Sequence, residues 1–233
     1  MLDRQSVIFF GALIVAVIIH EVSHGVVASW FGDDTARRAG RLTLNPVRHI
    51  DPMGSIILPA VGALLHVPVI AWAKPVPVNP ALMRNPRRDM VLVGLAGPAT
   101  NLVLMALAAL AARALFHPSA VVETIDDLPL GVEILFLFAL VNLFLAVFNL
   151  LPIPPLDGSA LIERALPAAW LPGWYRFRPY GVLVLFLVVV NTNLLGNLVS
   201  PFEDVLVRFV FGLSQARADE ARAPHSALLP CAR

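Results

Sequence analysis

Four long stretches of the chain are almost purely apolar: Gln5–Phe31, Met90–Phe116, Gly131–Leu151 and Gly181–Val199. Each has about the 20 residues that a helix needs to cross a ~30 Å hydrocarbon layer. In lipid the backbone must satisfy its own polar groups, so each run predicts a transmembrane helix. A weaker run, Met53–Ala73, contains Gly54, Pro59, Gly62, His66 and Pro68 and is a poor continuous helix. Downstream, Ser200-Pro201-Phe202-Glu203 reads as a helix start, with Ser200 as the cap and Pro201 in the first position. Phe202, Val205, Leu206, Phe209, Val210 and Leu213 then recur at helical spacing, with Glu203, Asp204 and Arg208 elsewhere on the wheel. That pattern predicts an amphipathic helix, either at the membrane interface or packed on the bundle.

The polar loops orient these spans. Asp33–Pro52 carries Arg37, Arg38, Arg41 and Arg48; Lys74–Asp89 carries Lys74, Arg84, Arg87 and Arg88; Pro152–Pro179 carries Arg164, Arg176 and Arg178. His117–Leu130 has no Lys or Arg, only Glu123, Asp126 and Asp127. Basic loops stay in the cytoplasm, which puts the first three there and His117–Leu130 outside. Met53–Ala73 then lies between two cytoplasmic loops and should enter and leave by one face, as a re-entrant or membrane-embedded hairpin; the alternative is a fifth full span. With the hairpin, Gln5–Phe31 and Gly131–Leu151 run parallel and their cytoplasmic halves share a depth. The predicted fold is an all-α polytopic membrane protein with four strong transmembrane helices, this hairpin and the C-terminal amphipathic helix. It forms one domain over 1–214, with a disordered tail at 215–233.

Composition agrees. Of 233 residues, 58% are hydrophobic and 14% charged, against about 25% charged in soluble domains. The net charge of +1 points to no acidic partner. The basic residues, all Arg but Lys74, sit in loops rather than in a nucleic-acid-binding stripe. The partners implied are the lipid bilayer and no nucleic acid. Cys231 is the one cysteine, so neither an intrachain disulfide nor a cysteine zinc site is expected. The first span is expected to stay on the mature protein, because it carries the chain's most telling residues.

Those residues are His20, Glu21 and His24, the only ionisable groups in Gln5–Phe31. Such groups are costly in hydrocarbon and usually functional. At i and i+4 on a helix, the two imidazoles can reach one metal ion, while Glu21 is placed to act on metal-bound water. A catalytic zinc takes three protein ligands and keeps a position for water. Asp157 stands out as a third ligand or, alternatively, as a helix cap. It follows Asn149-Leu-Leu-Pro152-Ile-Pro154-Pro155-Leu156, where three prolines must unwind the span at the depth of the histidines. Asn149 can bond the unwound backbone. In the span between, Gly97 permits close helix approach, and Asn101 either packs the bundle or lies near the site.

These motifs resemble the site-2 protease family of intramembrane zinc metalloproteases. The resemblance rests on His20-Glu21-Val22-Ser23-His24, on Gly97-Pro98-x-x-Asn101, and on Asn149-x-x-Pro152-x-Pro154-x-Leu156-Asp157-Gly158. It is to a compact member, without PDZ or CBS domain. It implies that one Zn²⁺ per chain is held by His20, His24 and Asp157, that Glu21 is the general acid/base, and that Asn149 stabilises the oxyanion. It further implies hydrolysis of peptide bonds within or near the transmembrane segments of a membrane-protein substrate. The alternative is a non-catalytic zinc-binding membrane protein or a metal transporter, against which Glu21 speaks. Gly40–Pro46 alternates polar and apolar residues and is expected to form an edge strand that presents the substrate.

Overall fold

The structure, a computed structural model, describes residues 3–51, 74–117 and 125–212. Eight α-helices follow in order among them: α1 Arg4–Trp30, α2 Thr35–Arg38, α3 Pro86–Leu115, α4 Leu130–Asn149, α5 Ser159–Ala165, α6 Leu171–Phe177, α7 Gly181–Asn191 and α8 Leu194–Phe211. Short 3₁₀ turns link several of them, and the described residues contain no strand. The expected hairpin within 53–73 and the tail from 215 lie outside the described residues.

Four helical stretches are long and apolar enough to cross a membrane: α1, α3, α4 and the run Ala168–Asn191 that ends with α7. Their starts follow local chemistry. Asp3 caps α1 by accepting the Ser6 N–H at 2.7 Å. Pro86 opens α3, and Asp89 reaches back to accept the Asn85 N–H at 2.8 Å. α4 ends at Asn149, just ahead of the prolines that cannot continue it.

The helices α1, α3 and α4 form the centre. At one end, Arg4 of α1 pairs with the buried Glu133 in the first turn of α4, at 2.9 Å. At the other, His20 and His24 of α1 meet Asp157, eight residues beyond the end of α4. Contacts at both ends make α1 and α4 parallel, with α3 antiparallel beside them. Alanines allow the close approach: Ala12 and Ala16 of α1 pack on Val141 of α4, and Ala108, Ala109 and Ala112 of α3 pack around Val132 and Phe136. Polar groups point inward (Asn101 and Asn142 are fully buried), whereas Phe10, Ile14, Val103, Leu107 and Leu183 face out. That apolar exterior suits lipid, not water.

Two expectations need correction. The last span is not one helix over Gly181–Val199: α7 stops at Asn191, and Thr192 is extended before α8 starts at Leu194. The final helix therefore begins well before Ser200, and Pro201 lies inside it. The local cap at Ser200 loses to packing, because Leu195 joins the cluster of Leu151, Leu156 and Leu185 and draws the chain into helix earlier. On α8, Leu206, Val207 and Val210 pack on α3 and α4, while Phe202, Val205 and Phe209 face outward. Gly40–Pro46, too, joins no strand ladder among the described residues. Its groups are used locally: the Thr43 carbonyl accepts from His49 Nε2, the Asn45 N–H donates to Thr43 Oγ1, and Asn45 caps the 3₁₀ turn Pro46–His49.

Candidate metal centre

The i, i+4 spacing in α1 brings the His20 and His24 rings to an edge contact with their Nε2 atoms 3.1 Å apart. The third group arrives from the break after α4. The Gly158 N–H donates to the Asn149 carbonyl at 2.7 Å and the Leu156 N–H to the Ile153 carbonyl at 2.9 Å, closing a tight turn. A Cβ on Gly158 would overlap Leu150 and Leu151 carbonyl oxygens, so only glycine fits. Gly158 takes the cap position of α5, and the Asp157 carboxylate is left to turn toward the histidines rather than cap the helix. Its Oδ2 lies 3.1 Å from His20 Nε2 and 3.3 Å from His24 Nε2.

The other ring nitrogens decide what these atoms are. His24 Nδ1 lies 2.6 Å from the Val93 carbonyl oxygen and His20 Nδ1 lies 2.5 Å from Asn101 Oδ1. Both partners only accept, so each Nδ1 carries the hydrogen and each Nε2 presents a lone pair. Asp157 Oδ2 is buried without a hydrogen-bond donor. Three electron-pair donors thus face one point, an arrangement that repels itself unless a cation fills it. Donors about 2.0–2.1 Å from a tetrahedral zinc lie roughly 3.3–3.4 Å apart, close to the separations here. These three residues are the one group of metal-ligand type among the described residues. The donor set, its spacing and the orphaned oxygen fit a zinc ion.

Helix α3 completes the wall. An atom added as Cβ at Gly97 would lie 2.5 Å from His20 Nε2 and 2.5 Å from His24 Nε2, so the backbone itself closes that side. Pro98 supplies no N–H to the turn beneath it.

Glu21 lies on the same helix, and its Oε2 accepts the Val76 N–H at 2.9 Å. The irregular segment carrying Val76 is clamped along its length. Arg41 donates to the Lys74 carbonyl at 2.6 Å, the Lys74 N–H donates to the His49 carbonyl, and the Asn79 N–H donates to Asp33 Oδ2 at 2.6 Å. Burial pushes the Asp33 carboxyl up, but hydrogen bonds from Thr35 and Asn79 outweigh it and hold it below its ordinary value. That clamp is therefore lost only when pH falls through the lowered value. Asn149 ends α4 with its Nδ2 donating to the Leu145 carbonyl at 3.0 Å, which leaves its second N–H for other use.

The structure therefore gathers His20, His24 and Asp157 at one point, sets Glu21 beside them on α1, and keeps Asn149 at the rim of the break. Sequence reasoning missed Val93 and Val76, which meet the site through backbone groups that leave no side-chain signature, and it gave Asn142, a lone amide in an apolar span, no part in the site.

The model of peptidase family M50 matches residues 121–190. YwhC of Bacillus subtilis, a candidate zinc metalloprotease by name, is 36% identical over 207 residues, 87% of this chain and 90% of its own length. Rip2 of Mycobacterium tuberculosis, named in the same way, is 38% identical over 182 residues, 75% of this chain and 64% of Rip2. Its Mycolicibacterium smegmatis counterpart is 29% identical over 184 residues, 78% of this chain and 66% of its own length. No solved structure matches. A match of this extent to YwhC, joined to the family model, means that the chain belongs to peptidase family M50, the site-2 protease family.

Proposed function

We propose that the chain is an intramembrane zinc metalloprotease that hydrolyses peptide bonds within or near transmembrane segments of membrane-protein substrates. One observation carries this reading: two imidazole Nε2 lone pairs and an orphaned Asp157 oxygen meet within an apolar helix bundle. His20, His24 and Asp157 are the proposed ligands of one Zn²⁺. When bound there, zinc would lower the pKa of its water toward neutrality and polarise the scissile carbonyl.

The chain's own groups do the rest. Glu21 takes the proton of the attacking water and returns it to the leaving amide nitrogen. The Val76 N–H holds Oε2 of that carboxylate, which leaves Oε1 for the transfer. Asn149 offers its second N–H to the developing oxyanion. The break at Pro152–Pro155 is the proposed water entry, and the arginine-rich loops support its opening to the cytoplasm. In this reading 1–214 form one membrane domain, and α8 lies near its interface.

The test is metal removal from the purified chain reconstituted with a membrane-anchored reporter. One zinc per chain is expected, with cleavage abolished by a chelator and restored by added zinc. A chain that bound no metal, or cleavage that persisted after chelation, would overturn the proposal.

Val76→Pro probes the positioning of Glu21. Pro77 already biases residue 76 to a conformation that proline adopts, so the change removes chiefly the N–H. Hydrogen bonds to charged groups are worth about 1.5–3 kcal/mol, so turnover should fall roughly 10- to 100-fold at full zinc content. Val76→Ala, which keeps the N–H, should stay close to wild type. Equal turnover in the two variants would remove the Val76 amide from the mechanism.

A further inference from the structure

Asn101 and Asn142 are fully buried on α3 and α4, where an unpaired amide is costly. They are joined in series. Asn142 Nδ2 donates to the Phe138 carbonyl at 2.8 Å, Asn101 Nδ2 donates to Asn142 Oδ1 at 2.8 Å, and Asn101 Oδ1 faces His20 Nδ1 at 2.5 Å. One end of this chain has a fixed polarity, because the Phe138 carbonyl can only accept. The Asn142 NH₂ must therefore face Phe138, and its Oδ1 must face Asn101. The Asn101 NH₂ is thereby drawn to Asn142, which leaves its Oδ1 for His20. His20 must then carry its hydrogen on Nδ1, and Nε2 is bare. His24 reaches the same state in one step, through the Val93 carbonyl.

We propose that Asn142 is a positioning residue for the metal centre. Through Asn101 it transmits the polarity of a backbone carbonyl on α4 to a ring on α1, and so presents the His20 Nε2 lone pair to the metal. The inference rests on the zinc reading above. Without the Asn142 oxygen, Asn101 can turn its NH₂ toward His20 Nδ1. That nitrogen then accepts, and the hydrogen moves to Nε2, where it blocks ligation. Partners that orient ligand histidines typically govern 10- to 100-fold in metal affinity.

The experiment compares zinc affinity, by chelator competition in detergent, for wild type, Asn142→Leu, Asn142→Asp and His20→Ala. Asn142→Leu has a similar size but no polarity and should weaken zinc about 10- to 100-fold. Asn142→Asp keeps the oxygen toward Asn101 and should recover most of the loss. Wild-type affinity in Asn142→Leu, or equal weakening in folded Leu and Asp variants, would overturn the proposal. A second measurement needs no variant: ¹⁵N NMR of the zinc-free wild type, at a pH where the ring is neutral, should place the His20 hydrogen on Nδ1. Finding it on Nε2 overturns the proposal even where Asn142→Leu does not fold. A wild-type chain that binds no zinc sinks the zinc reading and the positioning role with it, whereas a zinc-binding wild type beside an unweakened Asn142→Leu overturns the positioning role alone.

Discussion

Gly97→Ala is expected to abolish zinc binding and, with it, all proteolysis. The new methyl carbon would sit 2.5 Å from the Nε2 atoms of both His20 and His24, well inside van der Waals contact, on the atoms proposed to hold the metal. Neither ring can step aside cheaply, because Asn101 and Val93 hold their far sides. The backbone of α3 cannot retreat without breaking the same bonds, since both partners belong to it. Helix propensity pulls the other way: alanine in a helix is about 1 kcal/mol better than glycine. The variant should therefore stay helical while its metal content falls to near zero. Gly11→Ala on α1 is the control, as a Cβ there meets nothing within 4 Å; its zinc content and turnover should match wild type. Metal analysis of the purified variants decides the matter, and stoichiometric zinc in Gly97→Ala would show that the histidines do not ligate through Nε2.

The sequence and the structure differ most where contacts, rather than spacing, set the outcome. Hydropathy alone locates α1, α3 and α4, because membrane burial demands long apolar helices whatever they pack against. Loop charges predict the parallel run of the first and third spans, and the Arg4–Glu133 pair and the meeting of His20, His24 and Asp157 display it. The i, i+4 histidines are equally legible, since helical geometry fixes their common face. Which nitrogen of each ring is free is not legible, because that depends on Val93, Asn101 and Asn142 lying opposite on other helices. The Val76 N–H is invisible for a related reason: the amide of an apolar residue in a loop looks like any other until the loop is clamped. Strand alternation at Gly40–Pro46 gives way to local hydrogen bonds with Thr43 and Asn45, and the cap signal at Ser200-Pro201 gives way to packing at Leu195.

Glu21→Gln should reduce cleavage about 10²- to 10⁴-fold, the usual range for loss of general acid–base catalysis, while zinc remains at the wild-type level. The substitution is close to isosteric. A glutamine carbonyl oxygen can still accept the Val76 N–H, so the side chain keeps its place and loses only the ability to take a proton. Glu21 is not among the three groups that converge, so the metal should be indifferent to the change. This separation of catalysis from metal content also divides the enzyme from a zinc-binding membrane protein or transporter. Neither of those has use for a proton acceptor at this position, and neither would release fragments that vanish in the variant. Comparing membrane-protein fragments from cells carrying wild type or Glu21→Gln would reveal both the activity and its substrates. If Glu21→Gln cleaved a membrane-anchored reporter at the wild-type rate, the proton would have to go elsewhere and Glu21 would lose its role. If zinc fell together with cleavage, Glu21 would belong to the metal's own shell, and a second carboxylate would join His20, His24 and Asp157.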